Sequence, residues 1–354
     1  MCKFLAGFFL LVSMSAFGQQ FVAPYGSELI LTGTQYRING ANQYYLSYKP
    51  QKMVDEIFAA AQNLRINVIR TWGFCDGQWK DGYCFQPSPR AYHEPSFRKL
   101  DYVIWRAGHY GIKLIIPFVN NWDDFGGMNQ YVNWSPTAEK THDAFYSDPW
   151  IKRLYKDYVY TLLNRVNSIT GVAYKDDPAI LMWELANEMR AQSDPSGRLI
   201  QNWTQEMAAF VKSIDRNHML STGMEGFGRG GNDWLTNGSN GTDFIRNHAI
   251  KEIDVVSYHL YVEQWGITVD YANGWINDSI RLANSLRKPV YCGEFGLKDK
   301  ASRRRVYSQW YSMHPNMVLW LLVGHQEDGS RYPDYDGYSI YPDDAEIGPI
   351  IQGH

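Results

Sequence analysis

The chain has 354 residues, of which 45% are hydrophobic, enough to bury a sizeable core and too apolar for a disordered chain. Its 34 basic and 37 acidic residues give a formal net charge of −3 without a basic cluster, which argues against a nucleic-acid partner. The 13 tryptophans and 25 tyrosines carry polar tips that need partners, so we expect many of them to line a surface groove.

The N-terminus has the pattern of a secretory signal peptide. Lys3 supplies a positive charge, residues 4–14 form an apolar run too short to span a bilayer, and residues 16–18 (AFG) form a small-residue cleavage site. We therefore predict a signal peptide over residues 1–18 and a mature protein that is secreted or periplasmic. A buried N-terminal helix is the alternative.

Export leaves three cysteines in an oxidising compartment. Cys75 and Cys84 flank a short loop that contains glycine, and they could form a disulfide. Cys292 shares strand parity with Glu294, two residues later, and we expect it to be a buried, unreactive thiol.

Strand-like and helix-like segments alternate along the mature chain. Apolar residues at helical spacing predict helices after Pro50 and around residues 100–107, 151–162 and 203–214. The strand candidates are Tyr36–Gly40, Ile66–Trp72, Ile112–Val119, the apolar run that begins at Ala179, Met219–Met224, Ile253–Ser257, Val290–Glu294 and Met317–Leu322.

These make about eight strand–helix units, the number that a closed (β/α)8 TIM barrel requires. The fold class is therefore predicted to be α/β, with one barrel domain over residues 19–354. A doubly wound open sheet is the alternative, but no glycine-rich phosphate loop follows the first strand.

Two predicted strands end in a glutamate. The run AILMWELANEMR (179–190) changes from apolar to polar at Asn187, Glu188 and Arg190, and KPVYCGEFG (288–296) carries Glu294 at the same point of its strand. Because the carboxyl ends of barrel strands form one face, the two carboxylates are expected to lie opposite each other. Glycoside hydrolysis needs such a pair, one to protonate the leaving oxygen and one to attack or to activate water.

Further polar groups stand at predicted strand ends, namely Arg70, His259 and Tyr261. An arginine and a tyrosine hydroxyl that donate to one carboxylate would keep it ionised, as a nucleophile must be. The other carboxyl, beside an apolar ring and an amide, is expected to have a raised pKa, as a general acid must. Glu184 lies deeper in its strand and is assigned a structural role.

Trp320, on the last predicted strand, either stacks against a sugar ring of the substrate or packs in the hydrophobic core. Asp334 and Asp336 precede a glycine but lack the spacing of a calcium loop, so we assign them to a turn.

The motifs WELANE (183–188) and GEFG (293–296) resemble those of the family 5 glycoside hydrolases, which are retaining barrel enzymes. More narrowly, RTWGF from Arg70 and VNNWDDFGGMNQYV from Val119 resemble the β-mannanases of that family. The same holds for TGVAYKDDPAI, MAAFVKSID and YHLYVEQWGI, from residues 170, 207 and 258. The resemblance runs along essentially the whole mature chain.

The resemblance implies double displacement at β-1,4-mannosidic bonds of mannan, galactomannan or glucomannan, with Glu188 as acid/base and Glu294 as nucleophile. The residues that it places around the sugar at the cleavage point are Arg70, Asn187, His259, Tyr261 and Trp320. It places Trp72, Asn121 and Trp122 on the non-reducing side, and Arg190 at a sugar beyond the cleaved bond. Met189 stands where the family commonly has proline.

The alternatives to such an enzyme are a non-catalytic sugar-binding barrel and a metallohydrolase. A non-catalytic sugar-binding barrel would have lost a carboxylate. A metallohydrolase would need clustered histidines, which the sequence lacks, so we expect no metal and no cofactor.

Within the enzyme class, the alternatives are an exo-acting β-mannanase that releases mannobiose and a β-1,4-glucanase (cellulase). We expect a monomer without a membrane span whose partner is its β-mannan or manno-oligosaccharide substrate.

Overall fold

The computed structural model describes residues 21–78, 84–344 and 348–352, so the predicted signal peptide lies outside the described residues. A small sheet consists of β1 (Ala23–Tyr25), β2 (Glu28–Leu31) and β3 (Thr34–Tyr36). The strands of a larger sheet are β4 (Asn39–Asn42), β5 (Val68–Arg70), β6 (Lys113–Pro117), β7 (Ile180–Glu184), β8 (Met219–Ser221), β9 (Val256–Tyr261), β10 (Val290–Gly296) and β11 (Met317–Leu319).

Helices follow most of the large sheet's strands. They are α1 (Gln51–Asn63), α2 (Glu94–Tyr110), α3 (Gly127–Trp134), α4 (Ala144–Ser147), α5 (Pro149–Asn164), α6 (Arg198–Ile214), α7 (Phe244–His248), α8 (Val262–Trp265), α9 (Val269–Leu286), α10 (Lys300–Met313) and α11 (Gly348–Gln352). Among the helices of the described ranges, none is both long and apolar enough to cross a bilayer.

The eight strands of the large sheet are parallel and run in the order β8-β7-β6-β5-β4-β11-β10-β9. A parallel bridge between Ser221 and Val255 joins the two outer strands and closes the ring. The predicted (β/α)8 barrel is confirmed, and the open-sheet alternative is wrong.

The predicted helices form for the reasons that the sequence suggests. Helix α2 ends at Gly111, whose φ of +69° lies in the left-handed region that glycine adopts without strain. Helix α5 begins after Asp148, whose side chain accepts a hydrogen bond from the backbone N–H of Ile151. The buried residues of α1, α2, α5 and α6 lie on one face of each helix and belong to the main hydrophobic core.

The first barrel strand begins later than predicted, at Asn39, because residues 34–36 belong to the small sheet. That sheet was not predicted, since its strands are short and largely exposed and show no clear alternation. Leu29 of β2 packs with Val68, Ile115 and Val318 of the barrel interior, so the small sheet covers the amino-terminal end of the barrel.

Most of the aromatic residues pack in the hydrophobic core. Trp183, Trp203 and Tyr155 are fully buried. The polar tips of Trp183 and Tyr155 have hydrogen-bond partners, whereas Nε1 of Trp203 has none among the described residues. Trp183 Nε1 donates to Asp215 at 2.7 Å. The expectation that many aromatic residues line a groove therefore holds only for a smaller group of exposed or half-buried rings.

Candidate active site

The carboxyl ends of four barrel strands bring the central polar residues together. Arg70 ends β5, Glu184 ends β7 and Tyr261 ends β9, while His259 pairs in register with Glu294 of the neighbouring strand β10. All five side chains are buried. Four of them were predicted to form a site because they stand at the ends of predicted strands, and the structure brings these four together with Glu184.

Glu294 receives two short hydrogen bonds from its neighbours. Arg70 Nη1 donates to one carboxylate oxygen at 2.6 Å, and the Tyr261 hydroxyl donates to the other at 2.6 Å. These are the two donors that the sequence analysis expected at one carboxylate. The glycine before Glu294 is required by close packing, because a Cβ at Gly293 would lie 3.0 Å from Nε2 of His259.

Arg70 is held in place by several acceptors besides Glu294. Its Nη2 donates to Glu184 and to Oδ1 of Asn187, each at 2.7 Å, and its Nη1 donates to Asn42 at 3.1 Å. Glu184 also accepts a hydrogen bond from the hydroxyl of Tyr291. Glu184 therefore orients the Arg70 side chain, which agrees with the structural role predicted for Glu184.

Glu188 has an unusual backbone conformation, with a φ of +55°. A residue with a side chain rarely adopts the left-handed region, and such strain is often found at functional sites. The backbone N–H of Glu188 donates to Gly223 O at 2.8 Å, which fixes this turn. Its carboxylate accepts from Trp122 Nε1 at 2.6 Å and from His259 Nδ1 at 2.7 Å.

The two glutamates face each other at short range. An oxygen of Glu188, an oxygen of Glu294 and a ring nitrogen of His259 all lie within 4.8 Å of one another. Carboxyl groups of retaining glycosidases are about 5–5.5 Å apart, whereas inverting enzymes leave about 6.5–9.5 Å for a water molecule. The separation in this site leaves no such room and matches the retaining geometry.

The protonation of the cluster differs from the expectation. Burial raises the pKa of Glu188, but the hydrogen bonds from His259 and Trp122 outweigh burial and lower that pKa to about 2. Burial and the charge of Glu188 raise the pKa of Glu294, although His259 and Arg70 act against them. The expected raised pKa of the acid is therefore wrong for the free site, because His259 lies against Glu188.

The surroundings of His259 favour its protonated form. Burial lowers the pKa of His259, but the charges of Glu294 and Glu188 outweigh burial, so the net shift is upward. The imidazole Nδ1 is 2.7 Å from Glu188 and 3.7 Å from Glu294. One proton on the ring can therefore offset the charge of either glutamate.

Glu188, His259 and Glu294 are also residue types that ligate metals, and their atoms lie close enough to share an ion. However, Arg70 donates to Glu294 at 2.6 Å. A guanidinium so close to a ligand oxygen would repel a divalent cation. This set of donors is better suited to proton transfer.

Arg190 lies beside Trp122, whose Nε1 donates to Glu188. Its guanidinium donates to both oxygens of Glu225, at 2.6 and 2.8 Å, and its Cζ lies 4.9 Å from the ring centre of Trp122. The sequence analysis did not single out Glu225, although it follows strand β8 and the strand-end rule could have found it. Burial and the charge of Glu188 raise the pKa of Glu225 to about 8.

Trp122 and Asn121 both contact Arg190. Trp122 contacts Glu188 and Arg190, so it stands with the residue that was assigned to a sugar beyond the cleaved bond. Asn121 is buried, and its Oδ1 accepts from the backbone N–H of Arg190 at 3.0 Å. Both residues of the loop after β6 therefore lie next to Arg190, and the part of the substrate that they bind stays a prediction.

A second group of aromatic rings begins at Trp72, whose ring centre is 5.0 Å from Cζ of Arg70. Trp320 is half-buried; its ring centre is 5.9 Å from that of Trp72, and it stacks on Tyr44 at 6.2 Å. Its Nε1 donates to Asp336 at 2.7 Å. Asp336 was assigned to a turn only; nothing in the sequence indicated that the turn would also orient Trp320.

Cys75 and Cys84 form a disulfide, with their Cα atoms 4.5 Å apart. The bond closes the loop that follows Trp72 and Phe74. Cys292 is a buried free thiol, as predicted, and burial raises its pKa well above the ordinary value.

Comparisons with known proteins agree with this geometry. Residues 19–316 match the family model described as glycoside hydrolase family 5 beta-mannosidase-like. The chain is similar to a putative mannan endo-1,4-beta-mannosidase 4 of Arabidopsis thaliana, with 42% identity over 80% of this chain and 74% of the relative. It is also similar to mannan endo-1,4-beta-mannosidase 4 of Solanum lycopersicum, with 43% identity over 79% and 73% of the two chains.

Solved structures show the same similarity. An endo-beta-1,4-mannanase from Thermotoga petrophila aligns with a TM-score of 0.84 and 38% identity over 91% of this chain and 76% of that chain. An endo-1,4-beta-mannanase from Rhizomucor miehei aligns with a TM-score of 0.87 and 32% identity over 94% and 98% of the two chains. The likeness therefore covers the barrel and its loops together.

Proposed function

We propose that this chain, which belongs to the beta-mannosidase-like glycoside hydrolases of family 5, cleaves internal β-1,4-mannosidic bonds with retention of configuration. The observation that carries the mechanism is the approach of Glu188 and Glu294 to within 4.8 Å, with Arg70 and Tyr261 both donating to Glu294. The substrates that we propose are mannan, galactomannan and glucomannan.

Glu294 acts as the nucleophile in this proposal. Its two oxygens accept from Arg70 and Tyr261, and these donors favour the ionised carboxylate against the effects of burial and of the charge of Glu188. They also orient it towards the anomeric carbon. Attack breaks the glycosidic bond and forms a covalent mannosyl ester on Glu294. Water then attacks the ester from the opposite face and releases the sugar with its original configuration.

Glu188 supplies the proton to the leaving oxygen and later removes one from water. In the free site its pKa is lowered to about 2, since His259 and Trp122 donate to it, so the acid must receive its proton from a neighbour. His259 Nδ1 lies 2.7 Å away and can deliver it. The transfer turns an ion pair into two neutral groups, and Glu188 can then act as general acid.

The two groups of aromatic rings divide the cleft around the cleaved bond. Trp72 lies against Arg70, which donates to Glu294, and Trp72 and Trp320 are proposed to bind the sugars of the glycosyl part. Trp122 donates to Glu188 and contacts Arg190, and these two residues are proposed to bind the leaving part of the chain. Asn187 acts through its hydrogen bond to Arg70.

Parallel assays of the purified mature protein on galactomannan, glucomannan and carboxymethyl cellulose test the substrate. We expect the two mannans to be cleaved with release of mixed oligosaccharides and carboxymethyl cellulose to be cleaved poorly. Preferred cleavage of carboxymethyl cellulose would overturn the proposal in favour of a glucanase. Release of mannobiose alone would overturn internal cleavage.

Export and oligomeric state complete the proposal. The positive charge at Lys3, the apolar run and the AFG site support a mature protein that starts near Gln19 and leaves the cytoplasm. Mass spectrometry of protein from the native host should find this start, and an intact Met1 would contradict it. Light scattering of the purified protein should give the mass of a monomer.

A further inference from the structure

A row of four side chains begins at Glu188 and is built from the loops that follow strands β6, β7 and β8. It consists of Trp122, Arg190, Phe227 and Trp234. The Arg190 Cζ lies 4.9 Å from the ring centres of both Trp122 and Phe227, and the rings of Phe227 and Trp234 are 5.5 Å apart. Trp122 donates its N–H to Glu188, so the row begins at the cleaved bond.

The two ends of this row are open to solvent, whereas its middle is closed. Trp122 is 39% exposed and Trp234 is 42% exposed, but Phe227 is only 2% exposed. Arg190 is fixed by its two contacts with Glu225. A ligand that lies along the row would therefore meet a flat indole at each end and a rigid guanidinium between them.

The backbone of Trp234 is held firmly although its ring is partly uncovered. Its carbonyl accepts from Nδ2 of Asn240 at 2.9 Å, and the next residue, Leu235, is buried. The side chain of Asp233 accepts from the backbone N–H of Leu235 at 2.9 Å and from the hydroxyl of Tyr271 at 3.0 Å. The loop thus presents the indole in a fixed position beside the cleft.

We propose that Trp234 is a distal sugar-binding platform for the leaving part of the mannan chain, beyond the sugars that contact Trp122 and Arg190. This inference rests on the proposed function, because it takes the row of side chains as the path of the same polysaccharide. An indole face packs against the C–H groups of a pyranose, and its edge N–H remains available for a sugar hydroxyl. The occupant is the reducing-end portion of a β-1,4-mannan.

The position beyond Glu188 determines which part of the substrate is bound. The acid/base protonates the oxygen between the glycosyl part and the leaving part, and Arg190 of this row is proposed to bind the leaving part. Trp234, which continues the row past Arg190 and Phe227, is therefore placed along the same part of the substrate. Binding energy gained there is available only to substrates with enough sugars on that side. The effect of Trp234 must therefore depend on substrate length.

The test compares Trp234→Ala, Trp234→Tyr and the wild-type protein on mannohexaose and on an aryl β-mannobioside, whose leaving group is too short to reach Trp234. We expect Trp234→Ala to lower kcat/KM on mannohexaose about three- to tenfold, the scale of one lost aromatic contact, and to leave the aryl substrate unchanged. Trp234→Tyr should restore most of the loss. Tyr160→Ala, an exposed aromatic on the outer helix α5, is the matched control and should behave as wild type on both substrates.

The product pattern gives a second readout that does not depend on the absolute rate. With mannohexaose labelled at its reducing end, Trp234→Ala should shift cleavage towards bonds that leave fewer sugars on the leaving side. An unchanged pattern with unchanged kcat/KM, or an equal loss on both substrates, would overturn the inference. If the wild-type protein does not cleave mannohexaose at all, the proposed function fails instead.

Discussion

His259 Nδ1 lies 2.7 Å from Oε1 of Glu188, closer than its 3.7 Å distance from Glu294. The imidazole therefore pairs with the proposed acid/base and not with the proposed nucleophile. The hydrogen bond from His259 helps to lower the pKa of Glu188 to about 2, whereas the pKa of His259 is raised from 6.5 by the charge of Glu294 together with its contact with Glu188.

This pair makes stability depend on pH in a defined direction. Because the pKa of His259 is raised in the folded protein, protonated His259 stabilises the fold below pH 6.5. This stabilisation is lost as the pH rises through the pKa of the folded state. The stability that Glu188 contributes through its lowered pKa is lost only as the pH falls towards 2. Glu188→Gln should therefore lower Tm more at about pH 5.5 than at about pH 9.

Thermal unfolding at the two pH values measures this difference. Glu206→Gln is the control, because Glu206 pairs with Lys152 and Lys156, which keep their charge over that interval. An equal loss of Tm at both values for Glu188→Gln would contradict the proton assignment.

Glu184→Gln tests whether Glu184 positions Arg70. The substitution keeps the shape but removes a buried charge that pairs with the arginine at 2.7 Å. We expect the free energy of unfolding to fall by about 3 kcal/mol, because Arg70 loses part of its compensation. The value of kcat should fall more than KM rises, since Glu184 acts on the nucleophile and not on sugar binding.

Denaturant unfolding and steady-state kinetics on galactomannan measure both effects. The control is Glu94→Gln at the partly exposed pair with Arg165, which should change stability by no more than about 1 kcal/mol. If Glu184→Gln kept wild-type kcat, Arg70 would not depend on Glu184 for its position.

The sequence predicted the barrel because each strand is a short apolar run followed by a change to polar residues. The runs ending at Arg70, Glu184 and Glu294 lie at one face for that reason alone. The small N-terminal sheet was not predicted, since its strands are mostly exposed and lack that contrast.

The contacts between site residues were less predictable than the residues themselves. Glu225 and Arg190 are 35 positions apart, and Asp336 reaches Trp320 through a turn whose path no local pattern specifies. The order of the two glutamate pKa values was expected the wrong way round, because it depends on which of them His259 contacts. That contact depends on the left-handed conformation of Glu188, which the sequence does not indicate.

Asp76 provides a second pH-dependent prediction, away from the catalytic pair. The carboxyl is buried, and burial raises its pKa to about 8 from 3.8, although Gln86 donates to it. A raised folded pKa means that stability is lost as pH rises from 3.8 towards 8. Asp76→Asn keeps the acceptor without the ionisation, so its Tm relative to wild type should rise between about pH 5 and pH 9.

Calorimetry across that range checks the trend. Asp124→Asn, at an exposed position of a neighbouring loop, should show no comparable rise. A constant difference between Asp76→Asn and wild type would show that the carboxyl does not ionise on unfolding.

The disulfide predicts the number of reactive thiols. Alkylation of the unfolded, non-reduced mature protein should modify Cys292 only, and reduction should make Cys75 and Cys84 reactive as well. Closing so short a loop should stabilise the fold by about 2–3 kcal/mol, so the double serine variant should unfold at lower denaturant concentration. Three reactive thiols before reduction would contradict the pairing.

The two glutamates should fail in different ways when they are removed. Glu294→Ala loses the attacking atom and should be inactive on every substrate. Glu188→Ala loses proton donation, which matters for a polysaccharide but little for an activated aryl β-mannoside that fills the cleft. That variant should form the ester and stall, because no base activates water.

The most direct test is the reaction of Glu188→Ala with the aryl β-mannoside in the presence of azide. Azide needs no base and should attack the ester on Glu294 from the face that Glu188 once served, so turnover should resume and yield a β-mannosyl azide. Glu294→Ala should show no such recovery. An α-linked azide from Glu188→Ala, or recovery of both variants alike, would contradict the assignment of Glu294 as nucleophile and Glu188 as acid/base.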